Sequence, residues 1–83
     1  MDQIARTPKQ IGDALRRRRR TLDLTQKGLG DKTTLRQATI SAVEKGEPGT
    51  QLRTLFDVLA ALELEIVIRP RTKGATLDIE DML

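Results

Sequence analysis

Residues 25–46 read TQKGLGDKTTLRQATISAVEKG, and the spacing of their apolar side chains decides how the rest of the chain is read. Leu29 belongs to a first short helical pattern and Leu35 falls in the stretch that follows. Ile40 and Val43 come next, at the three-residue spacing that puts side chains on one helical face. These residues are the expected inward side of two short helices joined by a tight turn. The second pattern leaves Arg36, Gln37, Ala38, Thr39, Ser41 and Ala42 outward. Gln pairs bidentately with adenine and Arg with guanine, while small residues let a backbone come close and touch a thymine methyl. On spacing alone, this set fits a solvated helix face as well as a DNA groove.

The positions Gln26, Leu29, Gly30, Leu35, Ile40, Ser41, Glu44 and Gly46 resemble the helix-turn-helix of the Xre family, to which the lambda and 434 phage repressors belong. Within that family, the run from Arg36 to Ser41 resembles the recognition helix of HipB-like antitoxins, and the likeness extends from about Thr7 to Arg69. The resemblance implies a mainly α, lambda-repressor-like domain of four to five helices that binds double-stranded DNA at a palindromic operator. By position it implies that Arg36, Gln37, Ala38, Thr39 and Ser41 meet base edges or nearby phosphates. Gln26, with Lys27 beside it, would meet the DNA backbone from the start of the preceding helix. It further implies an inward pair between Arg19 and Glu44, and a HipA-like toxin kinase as partner. The function it implies is that of an autorepressor and antitoxin, with a stand-alone Xre repressor as the alternative.

Two departures from the family pattern have physical consequences. Gly28 stands where the family usually has Glu, so Thr25, an expected N-cap, lacks the reciprocal half of a capping box. Gly28 and Gly30 each cost roughly 1 kcal/mol relative to Ala inside a helix, so this first helix should be locally weak. Thr34 stands where the family usually has the glycine of the turn. The turn therefore either lacks a left-handed residue or is strained by a β-branched one.

Composition narrows the function classes. The chain has 83 residues with no Cys, His, Tyr or Trp, and Ser41 is its one serine. The usual nucleophile–base pairs cannot be assembled from these, and no enzymatic activity, cofactor or metal site is expected. A domain of this size buries only about 60% of its unfolded surface, so association would help it. Residues 1–53 hold 12 Lys/Arg against 6 Asp/Glu, whereas residues 54–83 hold 3 against 6. A basic half favours a polyanion, because each neutralised phosphate releases counterions. Charge alone also fits a ribosome or an anionic membrane. No signal peptide and no run of ~20 apolar residues is present, which leads to the expectation of a cytoplasmic protein without membrane contact.

Thr7, Pro8 and Gln10 predict a helix start, with Ile11, Ala14, Leu15 and Leu22 marking its buried side. The five consecutive arginines from Arg16 to Arg20 must point in several directions, and Arg16, Arg17 and Arg20 are candidate phosphate contacts. Glu47, Pro48 and Gly49 predict a turn and Thr50 the next cap. Leu52, Leu55, Phe56, Leu59 and Leu62 then form a helical stripe, with Phe56, the one aromatic, expected in the core. From Leu64 to Pro70 the period changes to alternation, the pattern of a β-strand. A lone strand needs a partner for its hydrogen bonds, and the same strand of a second copy supplies one, with Glu65, Ile66, Val67, Ile68 and Arg69 at the dimer axis. The expected organisation is a DNA-binding and dimerisation domain over residues 1–71 and a flexible acidic tail over 72–83. Leu77, Ile79, Met82 and Leu83 in that tail are candidate docking residues for a toxin.

Overall fold

Thr7 opens the first helix as its sequence predicts. In the computed structural model, which describes residues 2–71, the Thr7 hydroxyl accepts a hydrogen bond from the Gln10 amide at 3.1 Å. Gln10 Oε1 reaches back to accept from the Arg6 amide at 2.6 Å. The Gln10 amide, a donor that the helix start would otherwise leave open, is thereby satisfied, and the second bond pins the residue before the cap. The helix, α1, runs Pro8–Thr21; α2 covers Gln26–Lys32, α3 Gln37–Glu44 and α4 Leu52–Ala61. The described residues are thus mainly α, with four helices.

Three of these helices stop in the same way. Asp23 (φ 56°), Gly46 (φ 81°) and Glu63 (φ 58°) adopt the left-handed conformation just past α1, α3 and α4. The next amide in each case folds back onto a carbonyl in the last turn: Leu24 to Arg19 at 3.0 Å, Glu47 to Ala42 at 3.1 Å and Leu64 to Leu59 at 2.8 Å. These are Schellman closures, which use up carbonyls that the helix end leaves open. Gly46 is doubly constrained, since a Cβ there would sit 2.5 Å from Lys9 Cα at the start of α1.

The core gathers Leu15, Leu29, Ile40, Val43, Val58, Leu59 and Leu62, with Ile11, Leu22, Leu24, Leu35, Leu55, Ala61 and Leu64 packed around it. Each residue of the 25–46 stretch expected inward is there. The α4 stripe is different from the expected one. Phe56 is 51% exposed and Leu52 71% exposed, while Val58 is buried. The buried face is therefore Leu55, Val58, Leu59 and Leu62, spaced i, i+3, i+4 and i+7; Leu52 and Phe56 form a second apolar stripe open to solvent. Thr50 is also corrected: its hydroxyl closes the Glu47–Thr50 turn by donating to the Glu47 carbonyl at 3.0 Å, and Gln51 is the N-cap of α4.

Gly12, which the apolar pattern passes over, is where α1 crosses α3. A Cβ at Gly12 would lie 2.5 Å from the Glu44 carbonyl oxygen and 2.7 Å from that of Val43. Hydrogen is all that fits, and this sets the closeness of the two helices.

Residues 64–70 are extended without a ladder partner among the described residues. Ile66, Val67 and Ile68 are all exposed, Ile68 by 94%. The tail from 72 to 83, with Leu77, Ile79, Met82 and Leu83, lies outside the described residues. Among the described residues no helix is long and apolar enough to cross a membrane.

Candidate nucleic-acid interface

The expected pair between Arg19 and Glu44 is formed. Arg19 Nε donates to Glu44 Oε2 at 2.7 Å and Nη2 donates to Oε1 at 3.0 Å, a two-bond fork with 8% and 5% of the two residues exposed. The remaining guanidinium nitrogen, Nη1, donates to the Leu24 carbonyl at 2.7 Å. Gln26 Nε2 adds a third donor to Glu44 at 3.2 Å. One carboxylate near the end of α3 is therefore held by α1 and by the first residue of α2. Among the described residues no buried side-chain polar atom lacks a partner. Hydrogen bonding to Glu44 holds the Arg19 guanidinium above its already high ordinary value, against the opposite pull of burial.

This network fixes one side of α3 and leaves the other free. Ile40, Val43 and Glu44 are buried, whereas Arg36, Gln37 and Ala38 are exposed at the N-terminal end and Thr39, Ser41 and Ala42 are half-buried. Arg36 is the N-cap and makes no side-chain cap hydrogen bond. Gln26, expected to meet a phosphate, is half-buried and gives an amide hydrogen to Glu44; Lys27 is exposed and lies 3.7 Å from Asp31 across one helical turn.

The arginine run of α1 divides by direction. Arg16, Arg17 and Arg20 are exposed, and Arg19 turns inward. Arg18, which sequence reasoning left without a role, donates from Nε to the Leu62 carbonyl at 3.0 Å and so ties α1 to the end of α4. Among the described residues no group of three or more His, Cys, Asp or Glu residues could hold a metal ion.

The turn between α2 and α3 resolves the alternative posed by Thr34. It has no left-handed residue, because Asp23 and Glu63 are the non-glycine residues with positive φ among those described. Thr33, which sequence reasoning did not single out, closes it instead. Its hydroxyl donates toward the Leu29 and Gly30 carbonyls, each at 3.2 Å, and accepts from the Leu35 amide at 3.1 Å.

Two short helices with a shared buried core, a tight turn and a solvent-facing N-terminal half of the second helix together define a helix-turn-helix domain. Comparison with known proteins agrees: residues 15–68 match the helix-turn-helix family model. Antitoxin HipB of Escherichia coli O6:H1 and of Escherichia coli strain K12 are each 36% identical to the chain over 62 residues. Those residues make up 75% of this chain and 66% and 70% of the two relatives, so the match spans about two thirds of the relatives' length. Among solved structures, a HipB–O4 20mer complex superposes with a TM-score of 0.80 at 32% identity, covering 86% of this chain and all of that one. A HipA–HipB–O2–O3 complex gives 0.79 at 32% identity, again covering 86% of this chain and all of that one. The chain belongs to the Xre-like helix-turn-helix family, and within it is similar to antitoxin HipB.

Proposed function

We propose that the chain is a sequence-specific DNA-binding autorepressor and the antitoxin of a toxin–antitoxin module, acting by binding rather than catalysis. The observation that carries the DNA half is the exposed Arg36–Gln37–Ala38 end of α3, mounted on a helix whose other face is locked by the buried Arg19–Glu44 pair. A rigid mount matters because base edges are read by bidentate bonds that tolerate little displacement. Arg36 and Gln37 read bases, Ala38 and Thr39 allow close approach, and Ser41, Gln26 and Lys27 contact the backbone. Arg16, Arg17 and Arg20, exposed on α1, are further phosphate contacts. The likeness to HipB in its complexes with the O4 20mer and with HipA and O2–O3 supports this reading.

The acting unit in this proposal is a homodimer. Residues 65–69 pair with their copies across the two-fold axis, and the exposed Leu52 and Phe56 of α4 offer further apolar surface for association. Exposure of these side chains in the single chain supports the pairing, since an isolated extended edge of this kind invites another strand. Two recognition helices then enter successive major grooves about 34–36 Å apart on a palindrome.

For the antitoxin half, the partner is a HipA-like kinase, a reading supported by the likeness to HipB in a solved HipA–HipB–O2–O3 complex. The tail beyond Arg71 is a candidate docking element through Leu77, Ile79, Met82 and Leu83. The test is co-purification of the tagged chain with the product of the adjacent gene, using the full chain and a version ending at Arg71. A stoichiometric complex supports the antitoxin reading, and its loss on truncation assigns docking to the tail. Absence of any complex, together with tight binding to a palindrome in the chain's own promoter, would instead support a stand-alone Xre repressor.

A further inference from the structure

We propose that Thr33 is a positioning residue for DNA recognition: its hydroxyl sets the pose of α3 and so governs sequence discrimination without touching DNA. The inference rests on the DNA-binding reading above. It starts from the end of α2, whose last carbonyls need partners. In the Xre pattern a left-handed glycine ordinarily shapes this turn, and the chain has Thr34 there. Thr33 has extended backbone (φ −116°, ψ −177°), which any residue adopts without strain.

The Thr33 amide donates to the Gly30 carbonyl at 3.2 Å, and the side chain adds the bonds that this backbone closure leaves open. The Thr33 proton is shared between the Leu29 and Gly30 carbonyls, and the hydroxyl oxygen accepts the Leu35 amide. One hydroxyl therefore terminates α2 and grips the residue just before the N-cap of α3. Leu35 is held on its other side as well. Its carbonyl oxygen lies where a Cβ on Gly30 would be only 3.1 Å away. The backbone at Leu35 is thus seated between the Thr33 hydroxyl and the bare Cα of Gly30, one residue before Arg36. Any slack at Leu35 passes directly to Arg36 and Gln37. Phosphate contacts from flexible arginines on α1 would absorb such a shift, whereas two-bond contacts to base edges would not.

The experiment compares binding to the palindrome in the chain's own promoter with binding to a scrambled duplex of equal length at fixed salt. It uses the full-length wild type and the variants Thr33→Val and Thr33→Ser, with thermal unfolding recorded alongside. Thr33→Val keeps the shape and removes the hydroxyl; about a tenfold or greater loss on the palindrome is expected, with less than about a twofold change on the scrambled duplex and an unchanged salt slope. Thr33→Ser, which keeps the hydroxyl, should retain discrimination. Unchanged palindrome binding by a folded Thr33→Val protein would overturn the proposal, as would equal losses on both duplexes. Gly30→Ala keeps the test decisive if Thr33→Val does not fold. It leaves the hydroxyl in place and pushes the Leu35 carbonyl by a few tenths of an ångström, so discrimination should fall again, and its retention would overturn the proposal. A wild type that binds both duplexes equally would instead mark failure of the DNA-binding reading itself, and this inference would fall with it.

Discussion

Arg19 sits in the middle of a run of identical residues and differs from its neighbours only in direction. Burial beside Glu44 turns an ordinary surface cation into a connection among three helices. Removing it strands a buried carboxylate, so Arg19→Ala should cost about 3–5 kcal/mol. Differential scanning calorimetry checks this, and an unchanged Tm would mean the pair is not structural. On the alkaline side the contribution should be insensitive to pH over the working range. A base whose folded-state pKa is raised stabilises the fold below its unfolded value and loses that effect only as pH rises past it, which for an arginine lies beyond ordinary conditions. Gln37 is the complementary case, exposed and without a packing role. Gln37→Ala should leave Tm unchanged and weaken operator binding by about 1–3 kcal/mol per half-site, with relaxed preference at one base position. Equal loss on operator and scrambled DNA would sink its role in base reading.

Between elements, the informative positions are those where backbones meet. Gly12→Ala ought to stabilise an isolated helix, yet its Cβ would run into the carbonyls of Val43 and Glu44, so we expect a net loss of about 1–3 kcal/mol. Urea unfolding measures it; a gain in stability would show that α1 can shift to make room. Glu63→Gly should act oppositely. It relieves a left-handed conformation at the end of α4, and a gain of about 0.5–1 kcal/mol is expected once glycine's unfolded-state entropy is deducted. The same elements show where sequence was informative. Leu29, Leu35, Ile40 and Val43 announced the motif because helical spacing leaves few other arrangements, and Thr7 with Gln10 announced its own cap. The Arg19–Glu44 pair was legible only through family resemblance, since nothing in five identical arginines says which one faces inward. Phe56 was misplaced because α4 carries two apolar stripes, and a pattern cannot say which one the chain buries within itself. Gly12 and Thr33 were missed because close approach and turn closure arise from how helices meet, which no local period records.

At the scale of the whole molecule, that second stripe is a statement about association. Leu52 and Phe56 on α4, with Ile66, Val67 and Ile68 on the extended segment, present more apolar surface than a lone small domain gains by exposing. A dimer paired through residues 65–69 would bury the apolar surface of that segment and supply hydrogen bonds to a backbone that has no ladder among the described residues. Sedimentation velocity should therefore give about twice the 9.3 kDa chain mass. Ile68→Glu sets a charge against the apolar Ile66 of the other copy across the proposed axis, where pairing would bury it without a partner, and should return the protein to a monomer with its Tm lowered only through lost association. The consequence for DNA is larger than for the fold. Two linked recognition helices make the second half-site contact intramolecular, an advantage of roughly 10²–10⁴ in overall affinity. The Ile68→Glu protein should thus lose most of its palindrome binding while a single half-site is bound as by the wild type. A wild type that sediments as a monomer, or an Ile68→Glu protein that still holds the palindrome tightly, would move the dimer axis away from this segment.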